Sequence, residues 1–367
     1  MEMEKMIELI DAVSKSDLTG FKYEEEGIKL HLSKKENTCY VTENLSAPVN
    51  AVTTSAAEIK KAAEGDQISG TSAEETPVGN VVESPLVGTF YAAPAEDAES
   101  FVKVGDRVTA EPQYGCGDCP QCRIGKYNIC KNKKILGATY WSGSFGEYVV
   151  VPEKTVVHLG DDVSFEEGAL IEPIAVGMHA VRERDVSIGQ NILIIGAGTI
   201  GLGVYLSAKI CNPSKIIVAD VVDYNLEMAR ELGCEYTINS MKENLEAEVK
   251  KLTNGEGVDI TFLAFGNAPV VESASKCTKE GGVISEIAVI PNGTGCPYNM
   301  IQVKQQSLIG SNMYVRKDYE VVVENMAKGR IDSKKMVSKI YPIEEFTAAM
   351  EMADKRTEPV VKVMLKF

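Results

Sequence analysis

Four cysteines stand close together in this chain: Cys116, Cys119 and Cys122 at C-x2-C-x2-C spacing, then Cys130. Four thiolates complete the tetrahedral shell of a zinc ion and leave no position for water or substrate, so the spacing points to a structural metal. An iron–sulfur site, or cysteines gathered without a metal, are the readings that spacing alone leaves open. A second constellation is Gly196-Ala197-Gly198-Thr199-Ile200-Gly201. It follows the apolar strand Asn191–Ile195 and opens a helix through Leu202-Gly203-Val204-Tyr205. In that context Gly196 permits a tight turn, Gly198 lets the backbone approach a pyrophosphate, and Gly201 lets helix and strand pack closely. The pyrophosphate would rest on the helix N-terminus, with Thr199 and Ile200 in its first turn. Asp220 ends the next strand, 19 residues after Gly201. There a carboxylate accepts from the adenosine ribose hydroxyls and repels a 2′-phosphate, which favours NAD over NADP. A glycine-rich structural turn beside a solvated Asp is the alternative.

These residues need a scaffold. Apolar strands read at 192–195, 215–219, 259–264, 282–288 and 307–310, with helical stretches such as 223–232 and 241–252 between them. That alternation predicts a parallel sheet covered by helices on both faces. Upstream, the spacing of Met6, Ile7, Leu9, Ile10 and Val13 predicts a helix over 4–14. Phe21 and Tyr23, then Ile28, Leu30 and Leu32, alternate with polar residues about a Glu24-Glu25-Glu26-Gly27 turn, as in a small hairpin. Residues 41–80 are rich in Ala, Ser, Thr, Glu, Gly and Pro and read as a flexible linker that cannot bury enough apolar surface to order itself. Strand-like segments return at 81–85 and 86–91.

Charge divides the chain. Residues 1–103 carry 19 acidic and 9 basic side chains; residues 104–367 carry 34 and 29. The formal net charge of −15 argues against a nucleic-acid partner, which needs clustered cations. No apolar run approaches the about 20 residues of a membrane helix. Met1-Glu2-Met3-Glu4-Lys5 lacks a signal-peptide core, and nine cysteines, an odd number, suit a reducing compartment; both predict a cytoplasmic protein.

From about residue 104 to residue 367 the chain resembles the zinc-containing medium-chain alcohol/polyol dehydrogenases of the sorbitol, threonine and butanediol type. The carriers of that likeness are Val104-Gly105-Asp106-Arg107-Val108, the four-cysteine lobe, Phe145-Gly146-Glu147-Tyr148-Val149, Leu170-Ile171-Glu172-Pro173 and the Gly196–Gly201 loop. The resemblance implies an α/β fold: a doubly wound Rossmann sheet inserted in a partial GroES-like β domain. The implied boundaries are 104–175 for the partial GroES-like domain with its zinc lobe, 176–305 for the NAD-binding domain, and 306–367 for the return to the catalytic domain. The implied activity is hydride transfer between NAD and a secondary alcohol or ketone, polarised by a second, catalytic zinc, in a homo-oligomer (dimer or tetramer). Glu172, in the Ile-Glu-Pro motif, matches a position at that zinc. From the residues alone it reads equally as a carboxylate in the first half of a helix.

The family's other catalytic zinc ligands, a Cys and a His-Glu pair, lie upstream of the Val-Gly-Asp-Arg-Val word. Here the three histidines, His31, His158 and His179, lack that setting, and Cys39 lacks the surrounding residues. With three protein ligands needed for a catalytic zinc, impaired activity is the expectation. Instead Glu83-Ser84-Pro85-Leu86-Val87-Gly88-Thr89-Phe90-Tyr91, Ala93-Pro94 and Phe101–Val108 resemble the biotin carboxyl carrier protein of acetyl-CoA carboxylase. That likeness implies a carrier-type helix and hairpin over 1–40, with a contact to biotin carboxylase, the disordered linker over 41–80, and partial biotinyl-type strands over 81–108. It implies a chimera joined at 104–108. Biotin itself is not expected: the one Met-Lys pair, Met241-Lys242, is flanked by Ser240 and Glu243 and reads as an exposed helix position.

Overall fold

The computed structural model describes residues 20–25, 28–33, 102–139 and 141–367. The helix over 4–14, the linker over 41–80 and the strands at 81–91 lie outside the described residues. Contacts divide the chain into two units, Met1–Pro85 and Leu86–Phe367. In the first, β1 (Gly20–Glu25) and β2 (Ile28–Ser33) form the expected antiparallel hairpin, with Phe21 opposite Leu32 and Tyr23 opposite Leu30.

The second unit begins with short antiparallel pairs. β3 (Val108–Ala110) pairs with β6 (Val156–His158), and β4 (Gln113–Tyr114) pairs with β5 (Lys134–Ile135). Between β4 and β5 lies the cysteine lobe with the short helix α1 (Pro120–Arg123). Next comes the long helix α2 (Phe165–Glu183). Its start is set by a capping box: the Ser164 hydroxyl accepts from the Glu167 amide at 3.1 Å, and the Glu167 carboxylate accepts from the Ser164 amide at 3.0 Å.

Then the chain alternates: β7 (Asn191–Ile195), α3 (Thr199–Lys209), β8 (Lys215–Asp220), α4 (Asp223–Glu231), β9 (Tyr236–Asn239), α5 (Leu245–Leu252), β10 (Val258–Leu263), α6 (Ala268–Cys277), β11 (Thr278–Glu286), α7 (Tyr298–Val303) and β12 (Ser307–Gly310). The six strands form one parallel sheet in the order β12-β11-β10-β7-β8-β9. This is the doubly wound topology, and the order reverses between β7 and β10, where a crevice opens at the strands' carboxyl ends. Alternation along each strand divides the core: Ile192 and Ile194 pack with α2 and α3, while Leu193 and Ile195 pack on the α5 and α6 face.

Three details differ from the sequence reading. Strand β9 was not anticipated: it is four residues long, and its pairing with β8 defines it. The helix expected over 241–252 starts at Leu245, because the Asn244 side chain accepts from the Ala247 amide at 3.0 Å and caps it there. Met241 and Lys242 therefore occupy an exposed turn, not a helix. The sheet also runs to Gly310, past the boundary expected at 305.

The chain ends with α8 (Arg316–Ala327), β13 (Val337–Pro342), α9 (Phe346–Lys355) and β14 (Lys362–Lys366); β13 and β14 form a parallel pair.

Candidate functional site

The cysteine lobe comes together through local bonds. Cys119 caps α1, its sulfur accepting from the Cys122 amide at 3.4 Å, and the Cys116 amide points to the Cys130 sulfur at 3.5 Å. The four sulfurs lie within 4.8 Å of one another, with Cys116 and Cys122 at 4.0 Å. A zinc bonded at about 2.3 Å to each sulfur needs sulfurs roughly 3.8 Å apart, so the donor set and its spacing fit one tetrahedral zinc. Without a metal the thiols diverge: backbone amides of Cys119 and Asp118 lower Cys116 to about 7, while desolvation pushes Cys122 up to about 12, so the fit to zinc rests on the donor set and its spacing.

The glycine loop runs from β7 into α3. Gly196 has φ +100°, a left-handed turn that favours glycine. A Cβ on Gly201 would lie 1.7 Å from the Gly196 carbonyl oxygen, so strand and helix meet only because that side chain is absent. At Gly198, the helix N-cap, a Cβ would meet nothing within 4 Å, and no side chain caps the first turn. Open space thus stands over the amides that would take a pyrophosphate. The Thr199 hydroxyl is already used, donating to the Val361 carbonyl at 2.9 Å. Ile200 lines a cavity of about 600 Å³ with Phe265, Asn267 and Ile287, at the switch point of the sheet. The Asp220 carboxylate is fixed beside the loop: it accepts from the amides of Ala197 at 2.6 Å, Val221 at 2.7 Å and Val222 at 2.8 Å. The loop, the cavity and the carboxylate fit NAD.

Glu172 occupies the first half of α2. Burial raises its pKa; Lys362 on β14 opposes that rise, as does the neighbouring hydroxyl of the fully buried Tyr314. Among the described residues, the four cysteines are the one group of three or more metal-ligating side chains, so Glu172 has no ligand set around it there. A catalytic zinc therefore does not fit the described residues. His179 is buried and bonded on both ring nitrogens, to Asn128 and Asp318.

Three features escaped the sequence reading. One is a buried polar chain. Asn128, from the cysteine lobe, meets His179 Nε2 at 3.2 Å; His179 Nδ1 meets Asp318 Oδ2 at 2.7 Å; Arg182 donates to the other Asp318 oxygen. Another ties the lobe to the segment before α8: Gln113 Nε2 donates to the Tyr314 carbonyl at 2.7 Å, and Asn128 Nδ2 to the Asn312 carbonyl at 2.8 Å. That segment brings Tyr314 against Glu172. The third is Glu111, whose carboxyl burial pushes up to about 7 although the Tyr127 hydroxyl donates to it. No periodic pattern announces such groups, since each depends on partners far along the chain.

Two family profiles match. One described as zinc-binding dehydrogenase covers residues 199–328, and one described as alcohol dehydrogenase GroES-like domain covers 48–161. A zinc-type alcohol dehydrogenase-like protein of Escherichia coli K12 is 34% identical over 266 residues, 72% of this chain and 76% of the relative. The chain belongs to the zinc-type alcohol/polyol dehydrogenase family. Sorbitol dehydrogenase of Bacillus subtilis is 33% identical over 296 residues, 78% of this chain and 83% of the relative. Among solved structures, a short chain alcohol dehydrogenase of Escherichia coli complexed with NADH aligns with a TM-score of 0.69 at 27% identity, covering 75% of this chain and 81% of that one. The GroES-like match begins at residue 48 and runs through 81–108. It therefore crosses the stretch likened to a biotin carrier and the junction placed at 104–108, and no finding supports a carrier segment or a chimera there.

Proposed function

We propose that this zinc-type dehydrogenase transfers hydride between NAD and a secondary alcohol or polyol and its ketone. The observation that carries the reading is the uncapped, sterically open first turn of α3, at the crevice of a doubly wound sheet, with Asp220 fixed beside it. NAD supplies the hydride acceptor. The chain's own groups bind and orient it: the amides after Gly198 take the pyrophosphate, Asp220 accepts from the adenosine ribose, and Ile200 and Phe265 line the cavity beside them. Glu172, whose protonated form burial favours, is the group we assign to hold a proton at the substrate end. Cys116, Cys119, Cys122 and Cys130 would hold a zinc that closes the lobe, and Gln113 and Asn128 beside it hold the segment that carries Tyr314 to Glu172.

NADH titration followed by fluorescence tests the nucleotide reading: saturable binding is expected, and its absence from a folded sample would overturn it. Glu172→Gln should leave NADH binding in place while abolishing polyol-dependent NAD reduction. Metal analysis should return one zinc per chain.

Two coarser readings complete the proposal. Every residue of β12, the edge strand, is exposed, including Leu308 and Ile309, which supports pairing with a second copy into a homo-oligomer. Leu308→Lys should then shift the sedimenting species to monomer. No helix of the described residues is long and apolar enough to cross a membrane. A four-thiolate metal lobe, with Cys211, Cys234, Cys277 and Cys296 unpaired by disulfides, supports a cytoplasmic enzyme.

A further inference from the structure

We propose that Asp223 masks Lys242, and that this pair is a second determinant of the choice between NAD and NADP. The inference rests on the nucleotide reading above. Asp220 and Asn239 are register partners at the ends of β8 and β9, so the segments that follow both strands leave the sheet side by side. Asp223 opens α4 after the first strand, and Lys242 follows the second. The Asp223 carboxylate accepts from Lys242 Nζ at 2.6 Å and from Asn239 Nδ2 at 2.7 Å.

The buried Asn239 acts as the clamp. Its side-chain oxygen accepts from the Met241 amide at 3.0 Å, and its carbonyl accepts from the Lys242 amide at 2.9 Å. It thereby sets the turn that carries Lys242 to this edge. Both partners of the ion pair are largely exposed, with side chains 63% and 67% accessible. Such a pair adds little to stability, so its consequence is electrostatic and local.

Asp220, Asp223 and Lys242 together present a net negative charge where a 2′-phosphate would enter. That phosphate is close to a dianion and is held by cations. Loss of Asp220 alone leaves Lys242 neutralised by Asp223. Loss of both carboxylates frees the ammonium, while the Asn239 turn still keeps the Lys242 backbone on this edge. Lys242 is therefore a phosphate ligand held in reserve, and Asp223, not only Asp220, excludes NADP.

The test is fluorescence titration of NADH and NADPH at low ionic strength on the full chain and on Asp220→Ser, Asp223→Asn, the double variant, and the double variant carrying Lys242→Met. In the double variant NADPH should bind about tenfold or more tighter than in Asp220→Ser, and Lys242→Met should cancel the gain. Asp223→Asn alone, which leaves the bonds of Asp220 to the loop untouched, should tighten NADPH severalfold. The proposal is overturned if neither Asp223 variant gains NADPH affinity, or if the gain survives Lys242→Met. Failure of the unmodified chain to bind NADH is a separate result, which removes the nucleotide reading itself.

Discussion

Replacing Gly177 by Ala should separate the two helices that join the halves of the site. Gly177 lies on α2, about one and a half turns after Glu172, and faces α3. An added Cβ would lie 2.5 Å from the Gly203 carbonyl carbon and the Val204 amide nitrogen. Both are backbone atoms in a helix and cannot rotate away. Ordinary carbon contacts begin near 3.5 Å, so the helices must part by about 1 Å. Two effects compete. Ala exceeds Gly in helix propensity by about 1 kcal/mol, which favours the variant. Overpacking of a close-packed interface costs about 3 kcal/mol, and here Leu170, Ile174, Leu202 and Val204 would lose contact together. The net is a loss of about 2 kcal/mol, which lowers Tm by roughly 3 °C in a chain of this size. Since α3 carries the glycine loop and α2 carries Glu172, NADH affinity and turnover should fall together. Thermal unfolding and NADH titration read both. A variant that melts higher than the parent, by the propensity gain alone, would refute the close approach and the coupling built on it.

Further outcomes follow from the lobe and from buried acids. Cys119→Ser should drop the zinc content from one per chain to none and lower Tm, measured by metal analysis and calorimetry; retained zinc would contradict the four-sulfur site. Glu111 has its folded pKa raised from 4.5 to about 7, so its contribution to stability is complete below pH 4.5 and is lost as pH rises toward 7. Denaturant unfolding should therefore show a decline across that window that Glu111→Gln removes. Asp318 is shifted the opposite way, below 3.8: burial pushes it up, but the bond to His179, the Val315 amide and Arg182 outweigh that. Its stabilisation is present above pH 3.8 and disappears as pH falls through the lowered value, and Asp318→Asn should cost about 3 kcal/mol at neutral pH.

Much of the site was legible because its parts are local. The cysteine spacing places four sulfurs on one turn-rich loop, and the lobe closes through amide–sulfur bonds between near neighbours. The glycine loop and Asp220 fall within a single strand–helix–strand unit, so their geometry follows from one βαβ repeat. Helix boundaries depended on which side chain caps. Asn244 ends the turn and begins α5, a signal the apolar periodicity did not carry. The likeness of 81–108 to a carrier misled for a related reason: Val-Gly-Asp-Arg-Val describes a turn that more than one β fold can use.

The sequence by itself determined the parts: four cysteines at metal-ligand spacing, a glycine turn that opens a helix, an acidic residue at the end of the next strand and a parallel sheet to carry them. Each is encoded by residues a few positions apart, where backbone geometry dominates. Only the tertiary structure decided how they act together. Asn128, His179 and Asp318 meet across separations of 51 and 139 residues, Lys242 reaches Asp223 across 19, and Tyr314 meets Glu172 from the segment before α8 that Gln113 and Asn128 hold. Such contacts arise when packing brings distant segments into one low-dielectric interior, where a buried polar group must find a partner or bear the cost of desolvation. The same desolvation raises Glu111 and Glu172 and makes their protonation a property of the fold.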